Sequence, residues 1–190
     1  MMLSALVPQV IAEDTSSDTS SEVTSEPTEE VAEESDLQLA LNEAIEQFQA
    51  EYPDAELEEI EVELRHEDYK IKIHGFQENR EYELEFSVDP VEITKTEEDD
   101  EDGEQDEALV LDQLITIDQA SEIALEEAAG GTITDWKLDT DDGKTVWEVK
   151  VENPAAETTS DTEDDDDDNN KLKVVIDATT SEVIKTEFDD

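Results

Sequence analysis

Phe86-Ser87-Val88-Asp89, followed by Ile93-Thr94-Lys95-Thr96-Glu97, returns later as Val174-Val175-Ile176-Asp177 followed by Val183-Ile184-Lys185-Thr186-Glu187. Working backwards from these two closings, the same order of patterns precedes each. Tyr69, Ile71 and Ile73 alternate with polar residues as Trp147, Val149 and Val151 do. Leu57, Ile60 and Val62 correspond to Ile133, Trp136 and Leu138, and Leu37, Ala40, Ala44, Ile45 and Phe48 to Ile117, Ala120, Ala124, Leu125 and Ala128. The shared order of one helix and four strands makes chance agreement between two acidic sequences the weaker explanation. A repeat this long is a domain rather than a solenoid unit, so two small domains of one type are expected.

The helix of the first copy opens at Ser35, an N-cap with Gln38 in position to complete a capping box, and ends before Pro53. Strands are expected at Leu57–Leu64, Tyr69–His74, Tyr82–Val88 and Val91–Thr96, with a turn at Gly75–Asn79. Glu59, Glu61 and Glu63 face outward opposite Lys70 and Lys72, which suits antiparallel pairing. In the second copy Thr116 and Gln119 make the capping box and Gly130-Gly131 ends the helix. Ile133–Leu138 and Thr145–Val151 form a hairpin around Asp141-Asp142-Gly143-Lys144, and strands follow at Lys171–Asp177 and Ser181–Thr186. The fold class expected is α+β, with two tandem repeats, each one helix packed on an antiparallel sheet of about four strands. One unit of about 60 residues is marginal for a core. The copies are therefore expected to pack together or to continue one sheet.

The 190 residues carry 60 acidic and 11 basic side chains, a formal charge of −49. Nine acids and no base lie in residues 1–35, nine acids in residues 97–107, and eight in residues 157–168. Blocks of like charge do not pack. The expected organisation is a signal-peptide remnant at 1–12, a disordered acidic Ser/Thr-rich segment at 13–34, and a first domain at 35–96. An acidic linker at 97–111 leads to a second domain at 112–190, with an acidic insertion at 153–170. The alternative for residues 1–12 is a frayed apolar start of a cytosolic protein. Nucleic acid and anionic lipid are poor partners for such a surface, whereas divalent cations are attracted weakly and non-specifically. Cysteine is absent, which excludes disulfides and thiolate sites. No stretch reaches the roughly 18 apolar residues of a transmembrane span.

Ile117-Asp118-Gln119-Ala120-Ser121-Glu122-Ile123-Ala124-Leu125-Glu126 with Gly130-Gly131-Thr132-Ile133 resembles the opening of a PepSY domain. The continuation through Asp142-Gly143-Lys144-Thr145-Val146-Trp147-Glu148-Val149 and Val175-Ile176-Asp177-Ala178-Thr179-Thr180-Ser181-Glu182-Val183-Ile184 resembles it too. The first copy is similar more loosely, in its helix, its Tyr69–Ile73 strand and its Val88-Asp89 closure. Ser181 stands where the closing turn of the family usually has glycine. The resemblance implies a secreted or envelope-associated bacterial protein that binds or restrains another protein, a peptidase among the candidates. It supplies no catalytic residues.

Function is therefore expected to be non-enzymatic, with a protein partner and no cofactor. His66 and His74 are expected as solvated residues in or beside a strand, and carboxylate pairs are too numerous for any one to stand out as acid and base. The alternative function is an acidic, calcium-buffering surface protein. The loop Asp139-Thr140-Asp141-Asp142-Gly143 has its glycine one position early for an EF-hand, Asp99–Gly103 fails similarly, and Asp164–Asp168 lacks the spacing altogether. No catalytic, cofactor or metal residue is assigned. Trp136 and Trp147 are expected in the core, in a wall between the domains, or exposed on the sheet as partner anchors.

Overall fold

The computed structural model describes residues 34–100, 107–154 and 171–188. The expected signal remnant, the segment 13–33 and the acidic runs at 101–106 and 155–170 lie outside these residues. Helix α1 (Asp36–Glu51) precedes β1 (Glu56–Arg65), β2 (Asp68–Gln77), β3 (Arg80–Val88) and β4 (Val91–Asp100). Helix α2 (Ile117–Glu127) precedes β5 (Thr132–Asp141), β6 (Lys144–Glu152), β7 (Lys171–Asp177) and β8 (Val183–Phe188). The Ser35 hydroxyl accepts from Gln38 N at 3.1 Å, and Thr116 with Gln119 forms a complete capping box.

The strands do not form two sheets. They make one eight-stranded antiparallel sheet in the order β4-β3-β2-β1-β5-β6-β7-β8. Two tandem helix-on-sheet units of about four strands each are thus overturned in favour of a mostly β fold with two helices. The physical reason lies in β1 and β5. Hairpin connections pair each with only one sequential neighbour, which leaves an unpaired edge carrying Ile60 and Val62, or Trp136 and Leu138. Pairing these edges satisfies their backbone groups and removes the apolar side chains from water. Ile60 stands beside Leu138 and Val62 beside Trp136 across this seam.

The register carries two rows across all eight strands, apolar except for the exposed edge residues Thr96 and Thr186. One runs Thr96, Leu84, Ile73, Ile60, Leu138, Trp147, Ile176, Val183. The next runs Ile93, Phe86, Ile71, Val62, Trp136, Val149, Val174, Thr186. Ala40, Ala44 and Phe48 of α1 and Ile117, Ala120 and Ala124 of α2 join the same buried cluster. At the sheet's ends the two edge strands differ. Every β4 residue after Val91 is exposed, and β4 ends in Glu97-Glu98-Asp99-Asp100. β8 is shorter and carries a single Lys and a single Glu.

Several local readings shift. β4 runs to Asp100 and so takes up the first residues of the segment expected as linker. Leu109, also from that segment, is buried and donates its N–H to the Leu57 carbonyl at 2.7 Å. Gly75 sits inside β2 rather than in a turn. A Cβ there would lie 2.6 Å from the Glu56 carbonyl oxygen and 2.7 Å from Phe48 Cζ, so the glycine admits the helix to the sheet. His66 falls in the β1–β2 turn with Glu67, both left-handed at φ 52° and 75°. Asp142-Gly143 makes the corresponding two-residue turn of β5–β6 at 49° and 74°. Ser181 takes up the left-handed conformation at φ 63° that glycine would hold more cheaply.

Left-handed backbone costs a residue with a Cβ about 1 kcal/mol. Glu67→Gly and Ser181→Gly should each raise the unfolding free energy by up to about that amount in urea titrations. No gain from either would mean that the turns relax out of this conformation in solution.

Candidate functional site

A cleft of about 480 Å³ opens where α1, the segment before α2 and the central strands meet. Its floor is Ile60 of β1, Leu138 of β5 and Trp147 of β6, none more than 3% exposed. One wall is a stripe of α1, where Gln38, Leu41, Asn42, Ile45 and Glu46 recur at helical spacing. The other wall is Leu111, Leu114 and Ile115. Glu34 and Glu46 are the ionisable groups among its described lining residues, and both are exposed. An apolar recess with a few polar groups at its mouth has the size and character of a ligand site.

Hydrogen bonds between the helix starts fix this cleft. Gln38, only 7% exposed, accepts from Ile117 N at 2.9 Å through Oε1 and donates to Asn42 Oδ1 at 2.8 Å. It therefore does not close the expected box at Ser35. Asp118 fills that role from the other helix, accepting from Ser35 N at 3.0 Å and from its hydroxyl at 2.5 Å. The indole of Trp147 donates to the Ile115 carbonyl at 3.2 Å, and Ile115 N donates to the Ala178 carbonyl at 2.7 Å. These bonds hold the second wall against the sheet.

The sheet face opposite the helices is ionic, not apolar. Lys72 bonds Glu61 at 2.7 Å, Lys70 bonds Glu85 at 2.7 Å, and Lys137 bonds Glu59 at 2.6 Å and Asp139 at 3.0 Å. Lys95 meets Glu83 and Glu97, while Lys173 reaches Glu148 and Glu187. Burial alone would lower the pKa of Lys137. The carboxylates of Glu59 and Asp139 outweigh it and raise the pKa well above the ordinary lysine range. All eleven basic residues lie on strands: Arg65, Lys70 and Lys72, then Arg80, Lys95 and Lys137, then Lys144, Lys150, Lys171, Lys173 and Lys185. The helices carry acids without bases.

His74 projects into this lattice, 3.5 Å from Glu83 and 3.9 Å from Glu81. With Glu59 and Glu61 it brings ligand atoms within 4.8 Å of one another, an arrangement able to hold a divalent cation. Lys137 and Lys72 already occupy the two carboxylates, so an ion would have to displace both ammonium groups. The Asp139–Gly143 run, read as a failed EF-hand, is the end of β5 and its hairpin turn. Asp164–Asp168 lies outside the described residues. Trp136 and Trp147 are both core residues, 5% and 2% exposed; Trp136 donates to the Ser121 hydroxyl at 2.9 Å. The sequence offered no sign of Gln38 or Asp118 as cross-links, because each has an ordinary local role at a helix start.

Residues 114–187 match the PepSY family, described as the peptidase propeptide and YPEB domain. No curated protein matches the chain. Among solved structures, a putative lipoprotein from Clostridium difficile 630 has a similar fold, with a TM-score of 0.65 and 23% identity. The similarity covers 78% of this chain and 92% of that one.

Glu187 offers a test of the ionic face. Lys173 and, beside it, Lys185 draw its carboxyl down to about 2, from about 4.3 in an unfolded chain. A depressed carboxyl stabilises the fold in full above pH of about 4.3 and loses that contribution as pH falls toward 2. Glu187→Gln should therefore be less stable than the parent at neutral pH and match it near pH 2, read by urea midpoints. A gap that persists at the acid end would assign the loss to packing.

Proposed function

Taking residues 114–187 as a PepSY domain, we propose that the chain is a non-enzymatic bacterial envelope protein that binds or restrains another protein, with a peptidase as the partner class. The cleft carries this reading. Its floor is three nearly buried apolar side chains, and its described walls present amide, hydroxyl and carboxylate groups suited to holding a segment of chain. The family description, which names peptidase propeptides, supports the partner class. The similar fold of a lipoprotein-named structure supports the envelope setting. None of the described helices is long and apolar enough to cross a membrane. The ionic face of the sheet contributes less, since its paired charges are already satisfied by one another.

Mixing the purified chain with secreted peptidases of its source cell should give a stoichiometric complex and reduced peptidase activity. Both should survive His66→Ala and His74→Ala. The absence of any complex with envelope proteins would overturn the reading, as would hydrolysis of a peptide by the chain alone. Glu59, Glu61 and His74 favour a second reading, a cation-binding surface protein. It requires calcium to raise the melting temperature more than magnesium at matched ionic strength, and Glu59→Gln to abolish the difference.

A further inference from the structure

We infer that the cleft between α1 and residues 111–117 takes an apolar segment flanked by lysine or arginine. This rests on the reading of the chain as a protein-binding module and names what that module grips. The depth of the cleft sets the first half of the ligand. Ile60, Leu138 and Trp147 at the floor are apolar and almost fully withdrawn from water, and Leu41, Ile45 and Leu114 line the way down. A polar side chain entering there would lose its hydration with few groups to replace it, whereas a Leu, Ile or Phe side chain gains by leaving water.

Charge sets the second half. The described cleft residues include two acids, Glu34 and Glu46, and no base. Both helices beside the cleft are likewise free of lysine and arginine, since every basic residue lies on a strand. On the sheet face several carboxylates have an ammonium partner, such as Lys72 for Glu61 and Lys137 for Glu59. The exposed carboxylates at the mouth of the cleft thus face whatever flanks an inserted segment. Acidic flanks are repelled, and basic flanks are drawn in.

The experiment uses the full chain and two synthetic peptides, Lys-Lys-Leu-Phe-Leu-Lys-Lys and Lys-Lys-Ser-Ser-Ser-Lys-Lys, in titration calorimetry with tryptophan fluorescence as a second readout. The apolar-centred peptide should bind more tightly and perturb the emission. Ile45→Asp decides between the cleft and a mere counter-ion atmosphere, because it adds negative charge while spoiling the apolar wall. In the cleft, it should weaken the apolar-centred peptide by about 30-fold, the size of an interface anchor. Ile45→Ser keeps the net charge and should give a smaller loss in the same direction, which guards against a misfolded Ile45→Asp. Glu46→Lys should weaken binding several-fold at low salt and reduce its salt dependence. Equal binding of the two peptides, or binding unmoved or strengthened by Ile45→Asp, would overturn the inference. A peptidase complex that survives Ile45→Asp would leave the protein-binding reading standing and remove the cleft from it. Peptide binding with the expected pattern and no peptidase complex would do the reverse.

Discussion

The ladder between β1 and β5 is the constraint on which everything else depends. Four residue pairs, from Ile60 with Leu138 to Glu63 with Asp135, join two sets of four strands into one sheet. The same pairs bring Ile60, Leu138 and Trp147 into one apolar row and so lay the floor of the cleft. Polar groups at the helix starts then fix its walls. Asp118 caps the first helix from the second, and Gln38 satisfies a backbone donor of the second from the first. A cleft built this way belongs to neither half alone, and its shape follows the seam.

Electrostatics divides the molecule by element. Lysine and arginine are spent entirely on strands, where they neutralise facing glutamates at spacings set by the register. Exposed surface pairs of this kind contribute little each. Collectively they let a sheet face crowded with carboxylates exist in a chain of charge −49. The helices, with no such partners, keep their negative charge, and the cleft opens beside one of them.

Element types were largely legible because the periodicities are clean: Ile60, Val62 and Leu64 alternate, and Ile117, Ala120 and Ala124 recur at helical spacing. That the copies would pack together or continue one sheet followed from the small size of each, but alternation fixes only which face of β1 is buried and says nothing of which strand lies along its edge. Gly75 looked like a turn residue because nothing local announces that Phe48 comes down on it. The first hairpin turn was obscure for a related reason. His66-Glu67 holds the conformation of Asp142-Gly143 without the residues that usually signal it. The cleft was invisible in the sequence, since Gln38 reaches Ile117, and Asp118 reaches Ser35, only after the halves have joined. Of the places left open for Trp136 and Trp147, the core is the one they occupy, and the outward lysine-glutamate alternation marks the other face as ionic.

Joining β1 to β5 removes two edges and leaves two, and these are guarded differently. An unpaired strand edge is a template on which further chains can add. β4 meets that hazard with an almost wholly exposed run ending in four consecutive acids, so a second strand approaching it brings like charge to like charge. Among the described residues β8 has no comparable guard, with one lysine, one glutamate and Ile184 47% exposed. Growth by strand addition is therefore directional. The acidic end resists it for as long as its carboxylates are ionised, and the short, nearly neutral end is where an added strand would start.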